Sequence, residues 1–263
     1  MADEPIYSDK DVFEAAGTGM VAALALAATS AGASLPVQGA MAAVGSLVGL
    51  GIGRYVHRAS RRRFPKFAIG FLRWYDPDPE KAQAKAEQTA EQHKDDPSYH
   101  DVMFASFRQM MEAADESVIE TLGYLAGVYT GGNKKPDSFF RSLGRFLCEL
   151  EPGELEQFKD IAQTMCMTAQ STPIYATVDG NGWVWASLAG GGGRSNRKVR
   201  PAAQRLFTLL KREGLGGNVP IDQPKYGAGP VVADKALSID ALTVAAILKI
   251  VDPEFHAGLP TPE

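Results

Sequence analysis

The hydrophobic pattern changes character along the chain. From Ala15 to Gly53 no residue is charged, a run nearly twice the ~20 residues that span a bilayer as one helix. Ser34-Leu35-Pro36-Val37-Gln38 interrupts it near the middle, and proline disfavours helix at the residue before it. Two helical halves meeting at a turn are therefore expected, a Gly/Ala-rich hydrophobic helical hairpin. Small residues recur at every fourth position, as Ala23, Ala27 and Ala31 in the first half and Gly45, Gly49 and Gly53 in the second. Such spacing shares a helix face, so each half offers a smooth strip for close helix packing and self-association. The same pattern also describes a hairpin buried in a soluble domain, as in pore-forming colicins before they insert.

Directly after this run come Arg54, Arg58, Arg61, Arg62, Arg63 and Lys66, then Phe67, Ile69, Phe71, Leu72, Trp74 and Tyr75. Basic residues flanking a span favour the cytoplasmic side, and aromatic rings favour the headgroup level. The expected partner of this basic helix is anionic lipid, with Trp74 at the interface. The alternative is a solvated face whose cations pair with acids elsewhere in the chain.

Asp76-Pro77-Asp78-Pro79 then breaks the pattern, and residues 80–94 are alanine-rich, charged and almost free of large apolar side chains. Such a stretch has little to bury and reads as a polar linker or a solvent-exposed helix. Beyond it helical spacing returns in Val102, Met103, Phe107, Met110 and Met111, in Val118, Ile119, Leu122, Leu125 and Tyr129, and in Phe139, Phe140, Leu143, Phe146, Leu147 and Leu150. Gly131-Gly132 is placed to end the second of these helices, and Asp137 or Ser138 to cap the third. Glu151-Pro152-Gly153-Glu154 opens a fourth, with Leu155, Phe158, Ile161 and Met165.

The period then shortens. Ile174-Tyr175-Ala176-Thr177-Val178 and Trp183-Val184-Trp185 flank Asp179-Gly180-Asn181-Gly182, which predicts a β-hairpin. The run Gly190 to Gly193, with Arg194, Arg197, Lys198 and Arg200, reads as a flexible basic loop before a helix through Leu206, Phe207, Leu209 and Leu210 that stops at Gly214. A Gly/Pro loop leads to a last helix over about Ser238 to Val251. The expected fold is mainly α, with a small β-hairpin and a winged-helix-like C-terminal part. The expected segments are 1–75 (hairpin and basic helix), 76–100 (polar linker or helix), 101–170 (helical bundle) and 171–263 (β-hairpin plus helices).

Composition narrows the function. A hydrophobic fraction of 45% over 263 residues fills a core of ordinary size. The net charge of −4 argues against a surface that is basic throughout, so any anion binding must be local. Cys148 and Cys166 sit in apolar helical contexts and read as core thiols, which fits a reducing compartment. The acidic start, with Asp3, Glu4, Asp9, Asp11 and Glu14, lacks the basic n-region of a signal peptide.

Catalytic chemistry is not apparent. His57, His93, His100 and His256 lie apart, at no spacing that forms a metal site or a triad. The Gly190–Arg194 run lacks the lysine followed by Ser or Thr of a phosphate-binding loop. No cofactor, metal or catalytic residue is expected. Met103, Met110, Met111, Met165 and Met167 are read as core filling, with a groove for a partner protein on the helical bundle as the alternative.

Gly51-Ile52-Gly53-Arg54-Tyr55, Phe139-Phe140-Arg141-Ser142-Leu143, Leu147-Cys148-Glu149-Leu150-Glu151-Pro152-Gly153-Glu154-Leu155 and the Leu206–Leu215 helix resemble the bacterial abortive-infection alpha-like families. The resemblance implies a theme of bacterial or phage defence and no catalytic residues. The expectation is a non-enzymatic, membrane-associated defence or toxin-like effector on the cytoplasmic side of the inner membrane. The competing expectation is a soluble cytoplasmic regulator whose winged-helix-like C-terminal module binds nucleic acid through Arg194, Arg197, Lys198 and Arg200, aided by Arg205, Lys211 and Arg212.

Overall fold

The structure, a computed structural model, describes residues 56–93, 95–132, 134–168, 174–178, 184–188, 191–194, 200–219 and 236–255. The hydrophobic hairpin, with Ala23, Ala27, Ala31, Gly45, Gly49 and Gly53, lies outside the described residues. Among those described the protein is mostly helical, with α1 (Val56–Tyr75), α2 (Pro79–Gln92), α3 (Pro97–Glu112), α4 (Val118–Gly131), α5 (Ser138–Cys148), α6 (Glu154–Thr168), α7 (Arg200–Arg212) and α8 (Ala241–Val251). Four strands accompany them, β1 (Ile174–Val178), β2 (Val184–Leu188), β3 (Gly191–Arg194) and β4 (Ala236–Ile239). The chain divides into two compact units, Met1–Asp137 and Ser138–Glu263.

In the first unit α1 packs along α4, α2 lies on α1, and α3 lies on α4. Phe64, Phe67 and Phe71 point from α1 into the core, where Phe67 and Phe107 approach to 5.1 Å between ring centroids and Phe64 stacks on Phe107 at 5.7 Å. Ring pairs at such distances are worth ~0.5–1.5 kcal/mol beyond the area they bury. Asp78 accepts the amides of Glu80 and Lys81 ahead of Pro79, and Asp96 accepts the amide of Ser98 ahead of Pro97. These two Asp-Pro caps start α2 and α3, since proline is tolerated where the amide has no helical partner.

No compact unit ends near residue 76, where the sequence suggested a boundary. The phenylalanines of α1 find their cover on α3 and α4, so the helix expected to face a membrane is built into the same core as residues 97–131. Within residues 80–94, the stretch up to Gln92 belongs to α2, which lies against α1 with Ala82 and Ala86 buried and most other positions exposed. The bundle expected over 101–170 is divided between the two units at Asp137 and Ser138.

The second unit buries Phe140, Leu143, Phe146 and Leu147 of α5, Phe158, Ile161 and Met165 of α6, and Leu206, Phe207 and Leu210 of α7, with α6 against β1, β2 and β3 and α7 against β1 and β4. Sheet order is β3-β2-β1-β4, all antiparallel. The expected β1/β2 pairing is present, with Val178 opposite Val184 and Thr177 opposite Trp185. Two expectations are corrected. Gly191–Gly193 belong to a strand, because their backbones continue the β2 ladder with Gly192 opposite Ser187. Ser238 belongs to β4, because Asp240 accepts the amides of Leu242 and Thr243 and sets the helix start at Ala241. Beyond β4, Ser238 exchanges both backbone hydrogen bonds with Gly217, at 2.7 and 2.9 Å. α7 ends with Gly214 at φ 74°, where Gly214 and Leu215 donate to the carbonyls of Lys211 and Leu210. The positive φ favours glycine there.

Candidate functional site

The basic helix α1 is the element the sequence singles out, and its described side chains are held by the fold. Arg63 Nη1 donates to the carbonyls of Met110 and Met111, at 3.0 and 2.9 Å, and so satisfies the last turn of α3. Helix C-terminal carbonyls lack intrahelical donors and carry negative partial charge, which makes a guanidinium a suitable cap. Lys66 Nζ lies 2.8 Å from Glu116, and Arg73 lies 3.2 Å from Glu120. Arg63, Lys66 and Arg73 thus all reach the stretch Met110–Glu120. Of the basic cluster singled out in the sequence, Lys66 makes the kind of pair that a basic face paired with acids elsewhere would make; Arg73, outside that cluster, does the same. Arg58, Arg61 and Arg62 occupy the first two turns of α1, and Arg54 lies outside the described residues.

Trp74, expected at a lipid interface, packs edge-on against Tyr124 at 5.8 Å and remains 37% exposed. Room for the indole comes from glycines: a Cβ on Gly127 would stand 2.7 Å from Trp74 Cβ, and one on Gly131 would stand 2.4 Å from Trp74 Nε1. Two more glycines bring the backbones of α1 and α4 together. A Cβ on Gly70 would fall 1.8 Å from the Glu120 carbonyl oxygen, and one on Gly123 would fall 2.0 Å from that of Phe67. Gly123, Gly127 and Gly131 repeat every fourth residue. The sequence reading used this spacing on Gly45, Gly49 and Gly53 and missed it here, where it sat among the larger residues taken as the core stripe.

At the far end of α1, the Tyr75 hydroxyl lies 3.2 Å from Thr130 Oγ1. Burial raises its pKa, partly countered by hydrogen bonds to Thr130 and Thr89. Tyr99 is raised much further by burial, with the nearby Tyr75 adding to it. Both phenols keep their protons at neutral pH. Burial also raises the Cys166 thiol, contrary to what a nucleophile needs, and Cys148 is buried. Met103, Met110 and Met165 are buried. Among the described residues, no group of three His, Cys, Asp or Glu side chains could hold a metal ion.

The nucleic-acid alternative draws on the second unit. Arg194 ends β3 opposite Trp185, Arg200 begins α7, and Arg197 and Lys198 lie outside the described residues. Further along α7, Arg205 pairs with Glu154 and Glu151 and donates to the Glu149 carbonyl, while Arg212 pairs with Glu149 and Glu213. Arg145 of α5 also reaches Glu213 at 3.2 Å. The Glu154 and Glu213 side chains are only 7% and 8% exposed. Two arginines enlisted for phosphate contact are therefore spent on the unit's own carboxylates, and Arg212 is held more firmly protonated by Glu149 and Glu213.

Among the described residues, no helix is long and apolar enough to cross a membrane. No protein-family model, curated protein or solved structure matches the chain.

Proposed function

We propose that the chain is a non-enzymatic, membrane-associated effector or regulator on the cytoplasmic side of the inner membrane, attached through its segment Ala15–Gly53. The observation that carries this reading is the contiguity of an uncharged run of more than spanning length with Arg54, Arg58, Arg61 and Arg62. Anionic headgroups are the proposed partners of those four arginines. Arg63, Lys66 and Trp74 also make contacts within the first unit. The strips Ala23/Ala27/Ala31 and Gly45/Gly49/Gly53 are the proposed surfaces for hairpin closure or self-association. The theme of phage defence rests on the resemblance of Gly51–Tyr55 and of residues 139–155 to abortive-infection alpha-like proteins.

Fractionation of the native protein tests attachment. It is expected in the membrane pellet and to stay there after an alkaline carbonate wash. Recovery in the cytosolic fraction would overturn the proposal, and release by carbonate would limit it to a peripheral contact. Replacing Gly49 with leucine tests the strip. Gly49→Leu is expected to abolish cross-linked oligomers without lowering helix content, whereas Gly51→Leu, off the strip, should do much less. Equal behaviour of the two variants would count against packing through the glycines.

A further inference from the structure

We draw no further inference here: the strongest candidate, the glycine-rich edge strand Gly191–Arg194 of the four-stranded sheet, carries none because nothing in the structure shows what pairs with its outer edge.

Discussion

The two units use different means to bring helices together. In the first, α1 and α4 meet backbone to backbone across Gly70 and Gly123, and aromatic rings fill the space on either side. The ion pairs that join α1 to Glu116 and Glu120, Lys66–Glu116 and Arg73–Glu120, are nearly half exposed at both ends, where such pairs contribute ~0–1 kcal/mol. In the second, a chain of charges, Arg145–Glu213–Arg212–Glu149, links α5 to the end of α7. Arg205 extends it to Glu151 and Glu154 at the start of α6. Substitution should therefore injure the units differently: an added methyl is most damaging in the first, a removed charge in the second.

The largest effect is expected from Gly123→Ala. Helix propensity favours alanine by ~1 kcal/mol, yet its methyl would stand 2.0 Å from the Phe67 carbonyl oxygen, where only backbone can give way. A net loss of about 3 kcal/mol is expected, the upper end of overpacking costs. Hydrogen exchange should show lost protection across Phe64–Gly131 with Ser138–Thr168 unchanged. Gly127→Ala, whose nearest obstacle is Trp74 Cβ at 2.7 Å, should cost less. Unchanged protection in Gly123→Ala would mean that the helices are not in backbone contact.

That strip also marks where sequence reading reached its limit. Helical periodicity located α3 to α6 because Met103, Leu122, Phe146 and Phe158 repeat as large apolar residues, and a stripe of such residues signals its own burial. Glycine gives no such signal: Gly123 at a helix contact and Gly192 in a strand look the same in a sequence, and only the partner backbone distinguishes them. The assignment of α1 to the core of the first unit was hidden for a related reason. Phe64, Phe67 and Phe71 suit a lipid interface as well as an interior, and the contacts that decide, with Phe107 and Gly123, span 40 to 56 positions of chain. For the candidate site, sequence indicated the basic character of α1, but Arg63 is specified by the carbonyls of Met110 and Met111, which no pattern along the chain displays.

In the second unit, Arg205→Met should be the more harmful kind of change. It leaves Glu154, 7% exposed, without its cation. Breaking a fully buried pair costs ~3–5 kcal/mol; Arg205 keeps about a third of its side chain in solvent, so about 1–2 kcal/mol is expected once screening is allowed for. Urea unfolding followed by exchange over Ser138–Arg212 measures it. Adding Glu154→Gln to the same chain should recover part of the loss, because the stranded charge is then gone. A double variant as weak as the sum of two independent losses would show that the pair is not coupled.

A smaller effect, about 1 kcal/mol for lost hydrogen bonds, is expected from Arg63→Gln. It should fray the end of α3, read as faster exchange at Met110–Glu112, and leave binding to anionic vesicles unchanged. The triple variant Arg58→Gln, Arg61→Gln, Arg62→Gln should do the reverse, weakening binding to anionic vesicles with little change in stability. Matching results from the two proteins would remove the distinction between cations that serve the fold and cations that serve a surface.

The smallest effect concerns acid. Asp76 closes the turn between α1 and α2, accepting Lys85 Nζ at 2.7 Å and the Asp78 amide at 3.0 Å. The Lys85 hydrogen bond, then that of the Asp78 amide, holds its carboxyl below the usual aspartate value. A carboxylate with a lowered pKa in the folded state binds its proton more readily when unfolded. Its contribution is therefore present above the unfolded value of ~3.9 and is lost as pH falls through the lower folded value. Lys85→Met removes the main cause of the shift, so the variant's stability should fall less than the parent's between about pH 4 and about pH 2, below the ~3.9 of an unperturbed aspartate. Thermal melts across that range, read through exchange in α1 and α2, measure the difference. Because the first unit is closed mainly by glycine and aromatic contacts, the acid loss at this turn should stay local and leave the α1/α4 contact protected. Cooperative loss of the whole unit on protonation of Asp76 would show that a peripheral charge contributes more to it than the backbone contact does, and the contrast between the units would fail at its least charged point.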